Sequence, residues 1–226
     1  MAWSDWIRDG AVVEPSLYAA DFRRLGEQID ALLGAGCRVF HFDCGDGHFV
    51  PPVTMGPVVL RSIAPGIHAA GGVLDCHLMV DDPVHHFEEF AASGADSVTF
   101  HVEVADDPAA LAATAREHGF QVGLAFNPET AVEEVAPHAD AFDLVLCMSI
   151  HPGYSGQEFM PDAIGRIEQL RSLVPEHVHV QVDGGISHDN VRTVYDAGAD
   201  LIVCGSAIFS REDLPRAYRR LVQALA

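Results

Sequence analysis

The 226-residue chain contains no lysine; all 13 of its basic residues are arginine. That absence removes whole classes of chemistry. No side-chain amine is available to form a Schiff base, so lysine-dependent aldol chemistry and pyridoxal phosphate linkage are excluded. A phosphate loop that needs a terminal Lys is excluded for the same reason. Positive charge is scarce altogether: 33 acidic residues face 13 basic ones, for a formal net charge of −20. Nucleic acid and anionic membranes are both recognised through an excess of Lys and Arg, so neither partner is expected. No apolar run approaches the roughly 20 residues that cross a bilayer. The opening stretch MAWSDWIRDGAVVEPS has no basic segment followed by an apolar core, so no leader is read there and a cytoplasmic location is the expectation. The 5 cysteines, Cys37, Cys44, Cys76, Cys147 and Cys204, form no CxxC pair. Their odd number favours reduced thiols packed as small apolar side chains.

What is present is an ordinary globular composition, 49% hydrophobic and 20% charged. Eight short runs have β character: 12–17, 38–44, 73–79, 97–103, 121–127, 144–150, 178–183 and 201–205. Segments with helical periodicity separate them, such as DFRRLGEQIDALLGAG and DAIGRIEQLRSLV. Strand–helix alternation implies a parallel sheet. GAGCRVFHFD, ASGADSVTFHVE and DAGADLIVCGS echo one another, each passing from a helix end through Gly into a strand. Eight such units in this length predict a single-domain α/β (β/α)8 TIM barrel over residues 1–226. An open doubly wound sheet is the rival, weakened because no GxGxxG follows the first strand.

Barrel chemistry gathers at the C-terminal strand ends. Here those ends carry Ser16, His41 and Asp43, His77 and Met79, His101 and Glu103, Asn127, Met148, Asp183 and Gly205-Ser206. Side chains alternate along a strand, so His41 and Asp43 share one face while Phe40, Phe42 and Cys44 take the other. His77 likewise faces with Asp75 and Met79, and Asp183 with His179 and Gln181. Two His and two Asp from strands 2, 3 and 7 therefore converge. Such a set suits one divalent ion, Zn, Fe(II), Co or Mn, and equally suits hydrogen-bonded core residues. His85, His86, His138, His177 and His188 are read as having no such role. The DGG after strand 7 and the GSAIF after strand 8 sit where barrels bind phosphate through backbone N–H groups, which needs no Lys; tight turns alone would also explain the glycines. HPGYSGQEF at 151–159 is a third Gly-rich loop, placed to close over a ligand.

EPSL, HFDCGDGHFVPPVTMG, DCHLMV, GLAFNPET, MSIHPGYSGQ, VDGGI and IVCGSAIF occur in order from about residue 14 to 209 and together resemble the ribulose-phosphate 3-epimerase family. The resemblance implies interconversion of D-ribulose 5-phosphate and D-xylulose 5-phosphate in the pentose phosphate pathway. On these motifs His41, Asp43, His77 and Asp183 would hold the metal. Asp43 and Asp183 would be the acid/base pair at C3, working through a metal-stabilised enediolate. Ser16, His77, Met79, Met148, Gly153, Tyr154, Ser155, Gly156, Asp183, Gly184, Gly185, Gly205 and Ser206 would contact substrate. A sugar phosphate is the small-molecule partner implied, and the family commonly forms homo-oligomers.

Three positions depart from the family pattern. Gly45 stands where the family has Met, Gly153-Tyr154-Ser155-Gly156 where it has GFGG or GFAG, and Leu17-Tyr18-Ala19 near the start where it has a different arrangement. Gly45 is expected to enlarge and wet the cavity. That motivates an alternative substrate, a six-carbon ketose phosphate such as D-allulose 6-phosphate. The departures together also raise a non-catalytic sugar-phosphate-binding barrel as an alternative of another class.

Overall fold

The outward side chains of the strands are almost uniformly apolar, and this organises the molecule. The computed structural model describes residues 10–225, so most of the stretch read for a leader, and the outermost ends of the domain reading, lie outside the described residues. Eight strands, β1 (Val12–Pro15), β2 (Val39–Gly45), β3 (Val73–Met79), β4 (Ser97–His101), β5 (Gln121–Phe126), β6 (Leu144–Met148), β7 (His179–Asp183) and β8 (Leu201–Cys204), alternate with helices α1 (Leu25–Gly34), α2 (Pro57–Ala69), α3 (Val84–Ser93), α4 (Pro108–Glu117), α5 (Val132–Val135), α6 (Ala163–Leu173), α7 (Val191–Asp196) and α8 (Ser206–Phe209), and α9 (Leu214–Leu225) ends the chain. All pairings are parallel, in the order β1-β8-β7-β6-β5-β4-β3-β2. A parallel bridge from Ser16 to His41 joins the two ends, giving the (β/α)8 barrel that the alternation predicts.

Two apolar regions result. The larger lies between the sheet and the helices: Phe40, Phe42 and Cys44, Leu74, Cys76 and Leu78, and Val180 and Val182 meet Leu32, Leu60, Ile67, Phe87, Phe90 and Ile167 from the helical ring. Phe42 and Phe90 pack edge to face, ring centroids 6.3 Å apart. Each such buried side chain contributes about 1.5–3 kcal/mol by leaving water. The smaller region is inside the barrel, where Ala125, Leu144, Leu146, Met148, Ile150 and Leu201 fill the side of β5, β6 and β8. The opposite inner wall is polar, and that asymmetry makes room for chemistry.

The strands stop earlier than their apolar patterns in several places. Residues 102–103 read as strand but belong to a 3-10 turn, Val102–Val104, and residue 205 to the cap of α8. Val102 is apolar because it still packs against the layer between sheet and helices after the ladder has ended. The three echoing glycines, Gly36, Gly94 and Gly198, all have positive φ of about 95–113° where their helices end, a region costly for other residues.

Candidate active site

The barrel interior is layered. In the deeper polar layer, Glu14, His41, Asp75, Ser97 and Gln181 are all buried. Asp75 Oδ1 accepts from the Ser97 hydroxyl at 2.6 Å, and Oδ2 accepts from the Gln181 amide at 2.7 Å. His41 Nδ1 lies 2.9 Å from the same Oδ2. Gln181 also donates to Glu14 Oε2 at 2.7 Å, which stands 3.6 Å from His41 Nδ1. This layer holds the His41 ring by its Nδ1 edge and turns Nε2 upward. A carboxylate behind a His in this way sets the ring's tautomer and orientation for a metal.

Above it, His41 Nε2 and His77 Nδ1 each stand 3.3 Å from Asp43 Oδ1. The Ser16 hydroxyl donates to the other oxygen of Asp43, Oδ2, at 2.7 Å. One ligand atom from each of His41, Asp43, His77 and Asp183 lies within 4.8 Å of the other three. Ligands about 2.0–2.2 Å from one ion stand about 3.3–3.6 Å apart, so the set closes on an ion with little movement. His41 Nε2 is buried with no hydrogen-bond partner, which a core histidine rarely tolerates and a ligand explains. The donor set therefore fits a divalent metal. Glu14, His41 and Asp75 also cluster, but Glu14 Oε2, His41 Nδ1 and both oxygens of Asp75 are engaged with one another and with Gln181 and Ser97, leaving Glu14 Oε1 as the buried carboxylate oxygen there without a partner.

The two carboxyls of the upper layer differ in proton affinity. Burial works against charge on Asp43, but the adjacent His41 and His77 outweigh it and hold its pKa well below the usual carboxylate range. Asp183 goes the other way: burial and the charge of Asp43 push it up to about 7. Burial also lowers His77 to about 4, leaving it neutral at physiological pH. Desolvation likewise raises the cysteine pKa values, Cys44 and Cys147 to about 12, so these thiols pack rather than react.

Glu14 is raised by burial to about 7, above its ordinary 4.5. The folded state then binds more protons than the unfolded state between these values, so this group makes stability fall as pH rises from about 4.5 to 7. In chelator-treated protein, Glu14→Gln is expected to raise stability at pH 8 by up to about 3 kcal/mol and to leave it little changed at pH 4.5. Urea unfolding at the two pH values checks this; equal effects at both would refute it.

Beside the carboxyls opens a cavity lined by Ser16, Asp43, Met79, Met148, Gly153, Tyr154, Ser155, Gly156, Asp183, Gly184, Gly185, Gly205 and Ser206. Every residue read as substrate-contacting is on this wall except His77, which is fully buried with its nitrogens facing Asp43 and His101. Tyr18, Ile150, Pro152, Ile186 and Val203 also line it and were not read from the sequence; Tyr18 had a signal, two positions beyond Ser16. Gly185 has φ +64°, and a Cβ there would sit 2.4 Å from the Phe159 backbone N, so the loop after β7 requires Gly. His85, His86, His138, His177 and His188 lie outside the cluster. A separate cleft of about 480 Å³, lined by Arg211, Arg216 and Arg220 among others, shares no residue with the site.

Gly45 does not enlarge this cavity. It is absent from the wall, and the chain returning after the β2 turn fills the space a side chain would take: an added Cβ would lie 2.8 Å from Val50 Cγ2 and 2.9 Å from the Pro52 carbonyl oxygen. The Thr54 hydroxyl ties this return down, accepting from Gly45 N at 2.7 Å and donating to the Asp43 carbonyl at 2.9 Å. Gly45→Met is therefore expected to destabilise by about 1–3 kcal/mol through overpacking, read as a lower thermal midpoint. An unchanged midpoint would show that residues 50–54 yield freely.

Sequence comparison decides the family. A profile of the ribulose-phosphate 3-epimerase family matches residues 12–209. The chain belongs to this family. It is 37% identical over 219 residues to a ribulose-phosphate 3-epimerase of Escherichia coli K12, covering 95% of this chain and 96% of that one. It is 38% identical over 206 residues to one from Serratia marcescens, covering 89% and 97%. Family members are named as epimerases, a class of isomerase. Solved barrels of other activities share the fold alone. A 3-hexulose-6-phosphate synthase from Salmonella typhimurium gives a TM-score of 0.71 at 19% identity, covering 95% of this chain and 98% of that one. An orotidine 5'-phosphate decarboxylase from Pyrococcus horikoshii OT3 gives 0.70 at 14%, covering 95% and 99%. Among the described residues no helix is long and apolar enough to cross a membrane.

Proposed function

We propose that the chain interconverts D-ribulose 5-phosphate and D-xylulose 5-phosphate by proton transfer at C3. The observation that carries this reading is the pair Asp43 and Asp183. They stand on strands three apart around the barrel, share one cavity, and have opposite proton affinities. Epimerisation needs that division: one carboxyl takes the proton from one face of C3 while the other supplies a proton to the opposite face. Asp43 is the ionised partner, suited to accept. Asp183, near 7, is suited to give a proton at neutral pH, and the roles exchange in the reverse direction. Ser16 occupies Oδ2 of Asp43 and so orients Oδ1.

His41, Asp43, His77 and Asp183 would hold the divalent metal, which when bound supplies positive charge against the negative charge developing on the substrate oxygens. Met79 and Met148 give the reacting carbon an apolar, water-poor wall. Gly184, Gly185, Gly205 and Ser206 offer backbone to the phosphate, consistent with a chain that has no Lys to spend there. Gly153 to Gly156 form a loop over the mouth, pinned by the Gln157 amide on the carbonyls of His151 and Tyr154.

The test is incorporation of solvent deuterium at C3 of ribulose 5-phosphate by metal-replete protein, with xylulose 5-phosphate as product. Absence of both exchange and product would overturn the reading. The hexulose alternative loses its motive, because Gly45 opens no space in the cavity. The intact ligand and carboxyl sets likewise argue against a merely binding barrel.

A further inference from the structure

We propose that His101 and Glu103, which the mechanism above does not use, are positioning residues that fix the tautomer of His77 so that its Nδ1 is the metal-ligating atom. The inference rests on the metal reading of the site. His77 Nε2 and His101 Nε2 stand 2.8 Å apart, inside the barrel, and both side chains are fully buried. Two ring nitrogens at that distance share one proton, and either ring can own it. What lies beyond His101 decides which.

His101 Nδ1 is 3.1 Å from Glu103 Oε2. The other oxygen of Glu103, Oε1, accepts from the Asn127 backbone N–H at 2.8 Å and from the Thr130 hydroxyl. A carboxylate ringed by donors is an acceptor only. Although partial burial opposes its charge, His101 and Thr130 hold its pKa down to about 2. His101 must therefore carry a proton on Nδ1 to satisfy it. The His101 tautomer with its N–H committed to Glu103 presents a lone pair at Nε2, and the shared proton then belongs to His77 Nε2. His77 is left with its lone pair on Nδ1, facing Asp43 Oδ1 and the other ligand atoms. Without Glu103 the protons can reverse, placing N–H on Nδ1 and blocking the metal. Phe49, from the turn after β2, lies against His101 at 4.6 Å between ring centroids and holds its plane. The arrangement mirrors the one under His41, where Asp75 selects Nε2.

The measurement is zinc affinity by chelator competition, with nitrogen NMR of the histidine rings in zinc-loaded protein. Wild type is expected to show His77 ligated through Nδ1 and protonated on Nε2. Glu103→Ala and His101→Leu are expected to bind zinc about 10–100-fold more weakly. His101→Gln keeps an amide oxygen that can accept from His77 Nε2 and does not need Glu103. It is expected to stay within a few-fold of wild type, and adding Glu103→Ala to it should cost nothing further. That non-additivity separates positioning from a general loss of packing, which Glu103→Ala would inflict in either background. Wild-type zinc affinity in Glu103→Ala and His101→Leu, or His77 ligated through Nε2, overturns the assignment alone. A wild-type chain that binds no divalent ion overturns the metal reading and this assignment with it.

Discussion

Asp183→Asn is expected to lower kcat by about 10³- to 10⁴-fold, the upper part of the range for loss of a positioned acid or base. Asp43→Asn should do the same. The two failures should differ in kind. With one carboxyl missing, the survivor still faces one side of C3. Each variant should then exchange the C3 hydrogen of one epimer with solvent deuterium while failing to invert it, and the two should do so with opposite epimers. Asparagine is a poorer metal ligand than aspartate, so metal content is measured alongside and exchange is compared at saturating metal. Asp183, which burial inclines to the neutral form, should give an amide variant with a thermal midpoint near that of the wild type, whereas Asp43→Asn removes the main counter-charge of His41 and should lower the midpoint. Full inversion by either variant would remove the two-carboxyl mechanism. Loss of inversion and exchange together for both epimers, with metal still bound, would mean that one carboxyl only holds the ion.

The barrel was legible because its outer face is written with period two. Phe40, Phe42 and Cys44 point one way on β2 and His41 and Asp43 the other, and the same alternation on β3 and β7 delivers His77 and Asp183 to the same interior. Polar residues at strand C-termini then mark the working rim. What lay beneath the rim was not legible. Glu14 sits in VVEPS, where a lone acid between apolar residues and Pro reads as an edge charge. Its partner Gln181 is 167 residues away, and only closure of the sheet brings them together. Gln181 joins Asp75 across 106 residues in the same way. Periodicity tells which face a side chain takes, not which neighbour it meets across the barrel. His101 and Glu103 show the intermediate case. Their position at a strand end was visible, but the link to His77 and Thr130 depends on three strands' register. Gly45 was misread for the opposite reason. A missing side chain suggests space, yet the chain folds back five to nine residues later and fills it.

Asp75→Ala is expected to cost about 3–5 kcal/mol of folding stability, because it removes the common acceptor of the buried layer and leaves its donors unpaired. Three groups lose their partner at once: the Ser97 hydroxyl, the Gln181 amide and His41 Nδ1. Burial disfavours charge on His41, but Asp43, Asp75 and Glu14 together raise its pKa well above 6.5, so the loss leaves a cation short of one counter-charge. The side chain of Asp75 is itself wholly buried, and no water route to these donors replaces it cheaply. Ser97→Ala is the control, since it removes one ordinary hydrogen bond and should cost only about 1 kcal/mol. Urea midpoints of chelator-treated protein give both values. A second consequence separates the layer's structural part from its part at the site. With Nδ1 released, the His41 ring can turn, and zinc affinity should fall by about 10–100-fold even in buffer where the variant remains folded. Ser97→Ala, which leaves the His41–Asp75 pair in place, should keep zinc affinity near that of the wild type. An Asp75→Ala chain that unfolds within 1 kcal/mol of wild type would mean that the polar layer is a tolerated inclusion, and His41 would need another explanation for its fixed orientation.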